Sequence, residues 1–362
     1  MPNQESVLVF PAGMPAGLIF AHDAVRLGRR VVGASSQAHD PERGHYPEWT
    51  SLPWVLDRTF AQELADRVAH FNIAEIFTPH PVVWDQINRL LPSLPTQLRL
   101  CPQPGDADLA SYKRQRALAV ELLARSGQWL HSANPRPPLT VAQTAGLIRL
   151  FELTPGQCSH DKLEAVISLF RDLPPGDIVE IGCLYGRSAL AFAFLARHYR
   201  TGMLLCVDPW SPDEVVQDSK ELDELSKTAP LQAFFEAFTA NLAPWRDITN
   251  YLRLPSVAAA EAYAASKAVT SPEFGATHYS GEIAILHIDG NHAHHAVAAD
   301  TRAWTGFVKP GGWIIFDDYR WPFGDGPRLV ADEFCQRFQN HWSLAFEAAG
   351  ALFVRLDAAL SR

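Results

Sequence analysis

Four histidines and an aspartate are crowded into AILHIDGNHAHH, residues 284–295, and two more aspartates follow in WIIFDDYRWP, residues 313–322. Asp289 closes one apolar run, and Asp317 with Asp318 closes the next. If these runs are neighbouring strands, the three carboxylates converge on one edge of a sheet. Carboxylates sharing a cleft repel and raise one another's pKa, so a cation is the expected companion. Oxygen ligands with room for water indicate a hard ion, magnesium first, with manganese or calcium as alternatives. The competing reading has Asp317 or Asp318 capping the turn into Tyr-Arg-Trp-Pro. His292 lies three residues beyond Asp289 and can face the same cleft, where an imidazole near its ordinary pKa of about 6.5 suits a proton acceptor. His287 is expected to alternate away from Asp289 along the strand, and His294 and His295 to decorate a helix start. A cation bound to a hydroxyl lowers its pKa and fixes it for in-line attack, and two neighbouring hydroxyls chelate best, which favours sugars or catechols.

These groups need a scaffold and a second reactant. Upstream, GDIVEIGCLYGRSALAFAFLARHY reads as a buried strand over 178–181, a tight turn between Gly182 and Gly186, and a helix opened by Ser188. Glycine at such a turn lets a ligand lie against backbone amides at a helix N-terminus. Glu180 sits at the strand's end, where ligands bind in open α/β sheets. The next strand, GMLLCVDPW, delivers Asp208 to the same edge. A carboxylate there suits the two hydroxyls of a ribose, and Gly-x-x-x-Gly suits an adenosyl group without a pyrophosphate. The stretch 211–245 mixes charges with aromatics and is expected to form a helical lid. Trp210, Tyr319 and Trp321 offer flat surfaces to a ring, or else pack in the core or its rim.

Glycine turn, acidic second strand, AILHIDG, KPGGWIIFDDY and a final SLAFEAAGALFVRL hairpin follow one another in an order that resembles the seven-stranded class I S-adenosylmethionine-dependent methyltransferases over residues 155–358. That resemblance implies Glu180, Gly182 and Gly186 around the methionine moiety, Asp208 on the ribose and Ser256, in LRLPSVAAAEAY, near the adenine. Within the class, HIDGNH and the aspartate pair resemble the metal-dependent macrolide-sugar O-methyltransferases of the macrocin and mycinamicin group. Asp289, Asp317 and Asp318 would then hold Mg2+ or Mn2+, with His292 as general base. The activity implied is O-methyl transfer to a sugar or polyhydroxylated small molecule. A phenolic or amine substrate is the enzymatic alternative, and a binding or scaffold protein without turnover is the non-enzymatic one.

The first hundred residues alternate again: SVLVF, the turn PAGMPAG, a helix, RRVVGASS, another helix and IAEIFTPH. Strand and helix in alternation indicate a parallel α/β sheet. The turn lacks G-x-G-x-x-G, and no acid ends VVGASS to hold a ribose. These segments resemble the Rossmann-like domain that precedes the ATP-binding module of ATP-grasp ligases. The ATP-contacting lysines and magnesium-holding Glu and Asn of such a module have no candidates between 106 and 170, so ligase activity is not expected. The expected fold class is α/β in two domains: a Rossmann-like parallel sheet over 1–105, a helical and proline-rich linker over 106–154, and the methyltransferase fold over 155–362.

At 362 residues the chain exceeds one typical domain, and 47% apolar with 20% charged residues is ordinary for a globular protein. A net charge of -9 without a basic run argues against a nucleic-acid surface. No secretion signal or membrane-spanning apolar run is recognised, so a cytoplasmic location is expected, with no membrane partner. The five cysteines form no Cys-x-x-Cys pair and are expected to be mostly buried small hydrophobes. The expected partner is a small hydroxyl-bearing acceptor, and a homo-oligomer is compatible with the sequence.

Overall fold

A computed structural model describes residues 6–94, 97–129, 134–212 and 228–360. The chain divides into two compact units, Met1–Arg114 and Gln115–Arg362. Among the described residues, no helix is long and apolar enough to cross a membrane.

The first unit is built on a five-stranded parallel sheet of order β3-β2-β1-β4-β5. Its strands are β1 (Ser6–Val9), β2 (Arg30–Ser35), β3 (Glu48–Ser51), β4 (Ile73–Phe77) and β5 (Arg99–Leu100). Helices α1 (Pro15–Arg26), α2 (Phe60–Phe71) and α3 (Pro81–Leu90) make the crossovers. The central strand alternates its side chains between two apolar layers, with Leu8 against Phe60 and Leu64, and Val7 and Val9 against Ala21 and Ala24. Burial on both faces is what a parallel sheet requires. Gly17 is buried in α1, where a β-carbon would lie 3.2 Å from Val9 Cγ1, so this glycine brings helix and strand together. The preceding turn is tied down by Ala12, whose N–H donates to the Ala34 carbonyl at 2.8 Å and whose carbonyl accepts from the Tyr46 hydroxyl at 2.7 Å.

The second unit is built on a seven-stranded mixed sheet of order β13-β14-β12-β11-β6-β7-β8. Strands β6 (Asp177–Ile181), β7 (Leu204–Val207), β8 (Thr249–Leu252), β11 (Ile283–Ile288) and β12 (Val308–Phe316) run parallel, and the terminal hairpin β13 (Trp342–Ala348) with β14 (Ala351–Leu356) is antiparallel. Helices α4 (Asp106–Arg125), α5 (Val141–Leu153), α6 (His160–Asp172), α7 (Arg187–Tyr199) and α8 (Leu231–Leu242) precede β8; α9 (Ser256–Ala265), α10 (His294–Trp304) and α11 (Gly326–Arg337) follow it. From Gln115 onward, the stretch read as a linker is part of this unit. Ala119, Leu122, Leu139, Leu147, Ile148 and Phe151 enter the same core as Phe170 and Phe192, and Thr140 closes α5 with a capping box to Gln143. A short antiparallel pair, β9 (Ala268–Ser271) and β10 (Gly275–His278), is an element the sequence reading did not contain. Asn250 in β8 anchors it by donating to the Val269 and Gly275 carbonyls at 3.0 and 2.8 Å.

Register delivers the site. Ile181 pairs with Ile288 and Ile288 with Phe316, so the three central strands end at one level. Asp289 N–H donates to the Ile181 carbonyl at 2.8 Å, and Asp317 N–H to the Ile288 carbonyl at 2.9 Å. The residue after each strand is thereby fixed at the carboxyl edge.

Candidate active site

The glycine turn forms as its sequence demands. Gly182 and Gly186 have φ of +83° and +85°, left-handed values that cost other residues about 1–2 kcal/mol. A β-carbon on Gly182 would lie 1.9 Å from the Asp289 carbonyl oxygen, so the turn is in contact with the end of β11. Gly186 begins α7 and faces Leu242 and Phe238 of α8. Ser188 lies half-buried in the first turn of α7. Asp208 accepts through Oδ2 from the Cys183 and Leu184 amides at 2.9 and 3.1 Å, and through Oδ1 from the Trp210 amide at 2.8 Å. It therefore holds the turn's shape. Burial pushes its carboxyl up, against the pull of those three amides.

Glu180 is turned into the interior. It is wholly buried, with Oε1 2.9 Å from His287 Nδ1, while Oε2 has no hydrogen-bond partner among the described residues. His287, also wholly buried, directs Nε2 toward Asp317 Oδ2 at 3.3 Å and Asp289 Oδ2 at 3.8 Å. The expectation that His287 alternates away from Asp289 is corrected: residues two apart on a strand share a face. Lys162 from α6 completes the group, with Nζ hydrogen-bonded to Asp317 Oδ2 and 3.9 Å from Asp289 Oδ2. Burial alone would raise Asp317, but the Lys162 ammonium and the His287 hydrogen bond outweigh it and hold this carboxyl well below the usual range. Asp289 moves the other way, pushed well up by burial and by the Asp317 charge.

The second aspartate of the pair separates from the first. Asp318, at φ +50°, places Oδ2 2.7 Å from His292 Nε2, and the His292 ring stacks on Trp321 with centroids 4.5 Å apart. Among the described residues three sets of potential ligand atoms each lie within 4.8 Å of one another: Glu180, Cys183 and Cys206; His287, Asp289 and Asp317; and Asp289, His292 and Asp318. The three carboxylates do not form one such set among the described residues; Asp289 belongs to the last two. A cavity of about 10 Å3, the size of a single water or ion, opens between Asp289, Asn291, His292, Asp317 and Pro327.

The other expected residues are held by their own partners. Ser256 opens α9 and accepts at Oγ from the Trp304 indole at 3.0 Å. Trp210 is core, donating to the Leu184 carbonyl at 3.0 Å and packing on Phe238. Tyr319 is held by its hydroxyl on Asp332 at 2.8 Å. Of the expected lid, residues 213–227 lie outside the described residues, and Phe235, Phe238 and Leu242 of α8 are buried in the core. His294 begins α10, as expected. Cys101, Cys183 and Cys206 are buried, and Cys158 and Cys335 half-buried. The sequence reading missed Lys162; its one local signal is a cation in the first turn of a helix, where the macrodipole disfavours it.

A parallel five-strand core closed by an antiparallel hairpin, with a glycine turn after the first strand and an acid after the second, defines the class I S-adenosylmethionine-dependent methyltransferase fold for this unit. Residues 179–319 match the family model described as a methyltransferase domain. The chain is an S-adenosylmethionine-dependent methyltransferase. No curated protein matches it in sequence. Among solved structures it is similar to CalS11, a calicheamicin methyltransferase, at 15% identity and TM-score 0.40, covering 67% of this chain and 91% of that one. The O-methyltransferase NovP is 15% identical at TM-score 0.38, covering 71% and 100%. MycE from the mycinamycin biosynthetic pathway, in complex with Mg and SAH, is 16% identical at TM-score 0.37, covering 62% and 56%. Strand order, turn and family-model match carry the class; these distant likenesses add no argument to it.

Proposed function

We propose that this enzyme transfers the methyl group of S-adenosylmethionine to a hydroxyl of a sugar or other polyhydroxylated small molecule. The carrying observation is the contact of Gly182 with the Asp289 backbone, which sets the nucleoside turn directly beside the Asp289–His292–Asp318 group. A hydroxyl, unlike a neutral amine, must lose its proton as it is methylated, and a carboxylate-paired imidazole is the group suited to take it. The acceptor oxygen attacks the methyl carbon, the carbon–sulfur bond breaks with its electron pair going to sulfur, and the hydroxyl proton passes to His292. Asp318 orients the ring and stabilises the imidazolium. Trp321, stacked on His292, supplies a flat apolar wall beside the acceptor.

Magnesium, expected from the three carboxylates, does not fit the residues as they are arranged. The ammonium of Lys162 is seated between Asp289 and Asp317, and Asp318 is paired with His292. No step of the proposed reaction runs through a metal.

Calorimetric titration with S-adenosylhomocysteine tests the cofactor, and a panel of sugars, catechols and amines tests the acceptor class. Saturable nucleoside binding with transfer to a hydroxyl is expected. His292→Ala should lower turnover about 100-fold or more while nucleoside affinity is unchanged. Absence of nucleoside binding would remove the proposal, and transfer confined to amines would replace the acceptor.

A further inference from the structure

We propose that Lys162 takes the place of a divalent cation in this site, so that the enzyme neither binds nor needs a metal ion; this rests on the methyltransferase reading above. Lys162 Nζ hydrogen-bonds Asp317 Oδ2 and lies 3.9 Å from Asp289 Oδ2, the two carboxylates offered to a cation at the strand ends. Its side chain is 4% exposed. A buried ammonium is costly unless acids compensate it, and here both compensating acids are the presumptive metal ligands.

The lysine is held from its own helix. Ser159 caps α6 by accepting from the Lys162 amide at 3.2 Å, which fixes the backbone from which the side chain extends. A cation in the first helical turn opposes the macrodipole, so the local sequence would not choose lysine there for helix stability. His287 Nε2 meets the same Asp317 oxygen from the other side at 3.3 Å, and its Nδ1 is engaged by Glu180. Asp317 is thus enclosed by a charge and a ring nitrogen. Magnesium demands near-octahedral oxygen ligands at about 2.0–2.1 Å and keeps several waters, a shell that cannot share these oxygens with an ammonium. In the outer set His292 Nε2 is 2.7 Å from Asp318 Oδ2, so an ion there would have to part the two.

The test titrates Mn2+ alone into the full chain, with free ion followed by electron paramagnetic resonance. Wild type, Asp317→Asn, Asp318→Asn, Lys162→Ala and Lys162→Gln are compared, the last keeping a donor toward Asp317 should the alanine variant fail to fold. Wild type is expected to bind no Mn2+ at millimolar concentration, and removal of the ammonium to create a site at least about tenfold tighter. Wild-type binding that Asp317→Asn or Asp318→Asn abolishes would overturn the proposal, as would lysine variants that fold and still bind no ion. Calorimetry with S-adenosylhomocysteine on the same samples separates the two readings. Nucleoside binding equal in magnesium and chelator is expected, whereas loss of nucleoside binding throughout would sink the methyltransferase reading and leave the ion result standing.

Discussion

Asp289 and Asp317 carry the same carboxyl and meet the same ammonium, yet they hold their protons very differently. Asp317 is drawn down chiefly against burial by Lys162, and Asp289 is driven up by burial and by its charged neighbour. Of the two, Asp289 is therefore the more readily protonated and Asp317 the one that keeps its charge further into acid. Replacing the more readily protonated group by an amide should cost the less, so Asp289→Asn is expected within about 1 kcal/mol of wild type in urea unfolding. Asp317→Asn should cost about 1–3 kcal/mol, because Asp289 can ionise and take over the lysine. The double variant leaves the ammonium alone and should lose at least about 1 kcal/mol more than the sum. The pH sign follows from the depressed acid. Asp317 stabilises the fold above the ordinary aspartate value of 3.8 and loses that contribution only as pH falls through its lower folded value. The Asp317→Asn penalty should be full at neutral pH and shrink in acid. At this scale the sequence was legible in part: Asp289, Asp317 and His292 announce themselves by their position after apolar runs. Lys162 does not, because its partner lies 155 residues away and only the fold brings them together.

Among elements, the turns and the register decide the site. Two glycines at similar positive φ separate backbone strain from crowding. Gly350, at φ +80° in the hairpin between β13 and β14, has nothing near a future β-carbon, whereas Gly182 faces the Asp289 carbonyl at 1.9 Å. Gly350→Ala should cost about 1–2 kcal/mol, the left-handed penalty alone. Gly182→Ala adds a collision with backbone and should cost more than about 4 kcal/mol, or prevent folding, by the same urea measurement. Equal costs would mean that the turn yields and does not hold the end of β11. The strands that carry the site, β6, β7, β11 and β12, could be read because apolar runs there end in glycine turns or acids, whereas β3, β5 and β8 went unread. The β9–β10 pair went unread because its strands are short and mostly polar, and a side chain of β8, Asn250, anchors them. Of the stretch expected as a lid, α8 is amphipathic: Phe235, Phe238 and Leu242 share a face that the core takes up, and Gln232, Ala233 and Glu236 are exposed.

For the whole molecule, the separate cores have a thermodynamic consequence. Leu8, Phe60 and Ile76 belong to one apolar cluster within the first unit, and Phe170, Phe192 and Phe353 to another within the second. Among the described residues, the strands pair only within their own unit, five in one sheet and seven in the other. Cooperative unfolding follows the packing unit, so a chain built this way should not melt as one two-state system. Scanning calorimetry is expected to resolve two transitions, or one whose calorimetric enthalpy exceeds the van't Hoff value. A ligand stabilises only the unit that binds it, by an amount that grows with the logarithm of its concentration. Ten times more S-adenosylhomocysteine, once saturating, should add about 1.4 kcal/mol to the transition of the second unit and leave the first in place. The glycine turn, Asp208, Asp289 and His292 all lie in that second unit, which is why the nucleoside should act there. A ligand shift shared equally by both transitions would show that the units unfold together, and a shift confined to the first would relocate the nucleoside site to the N-terminal sheet.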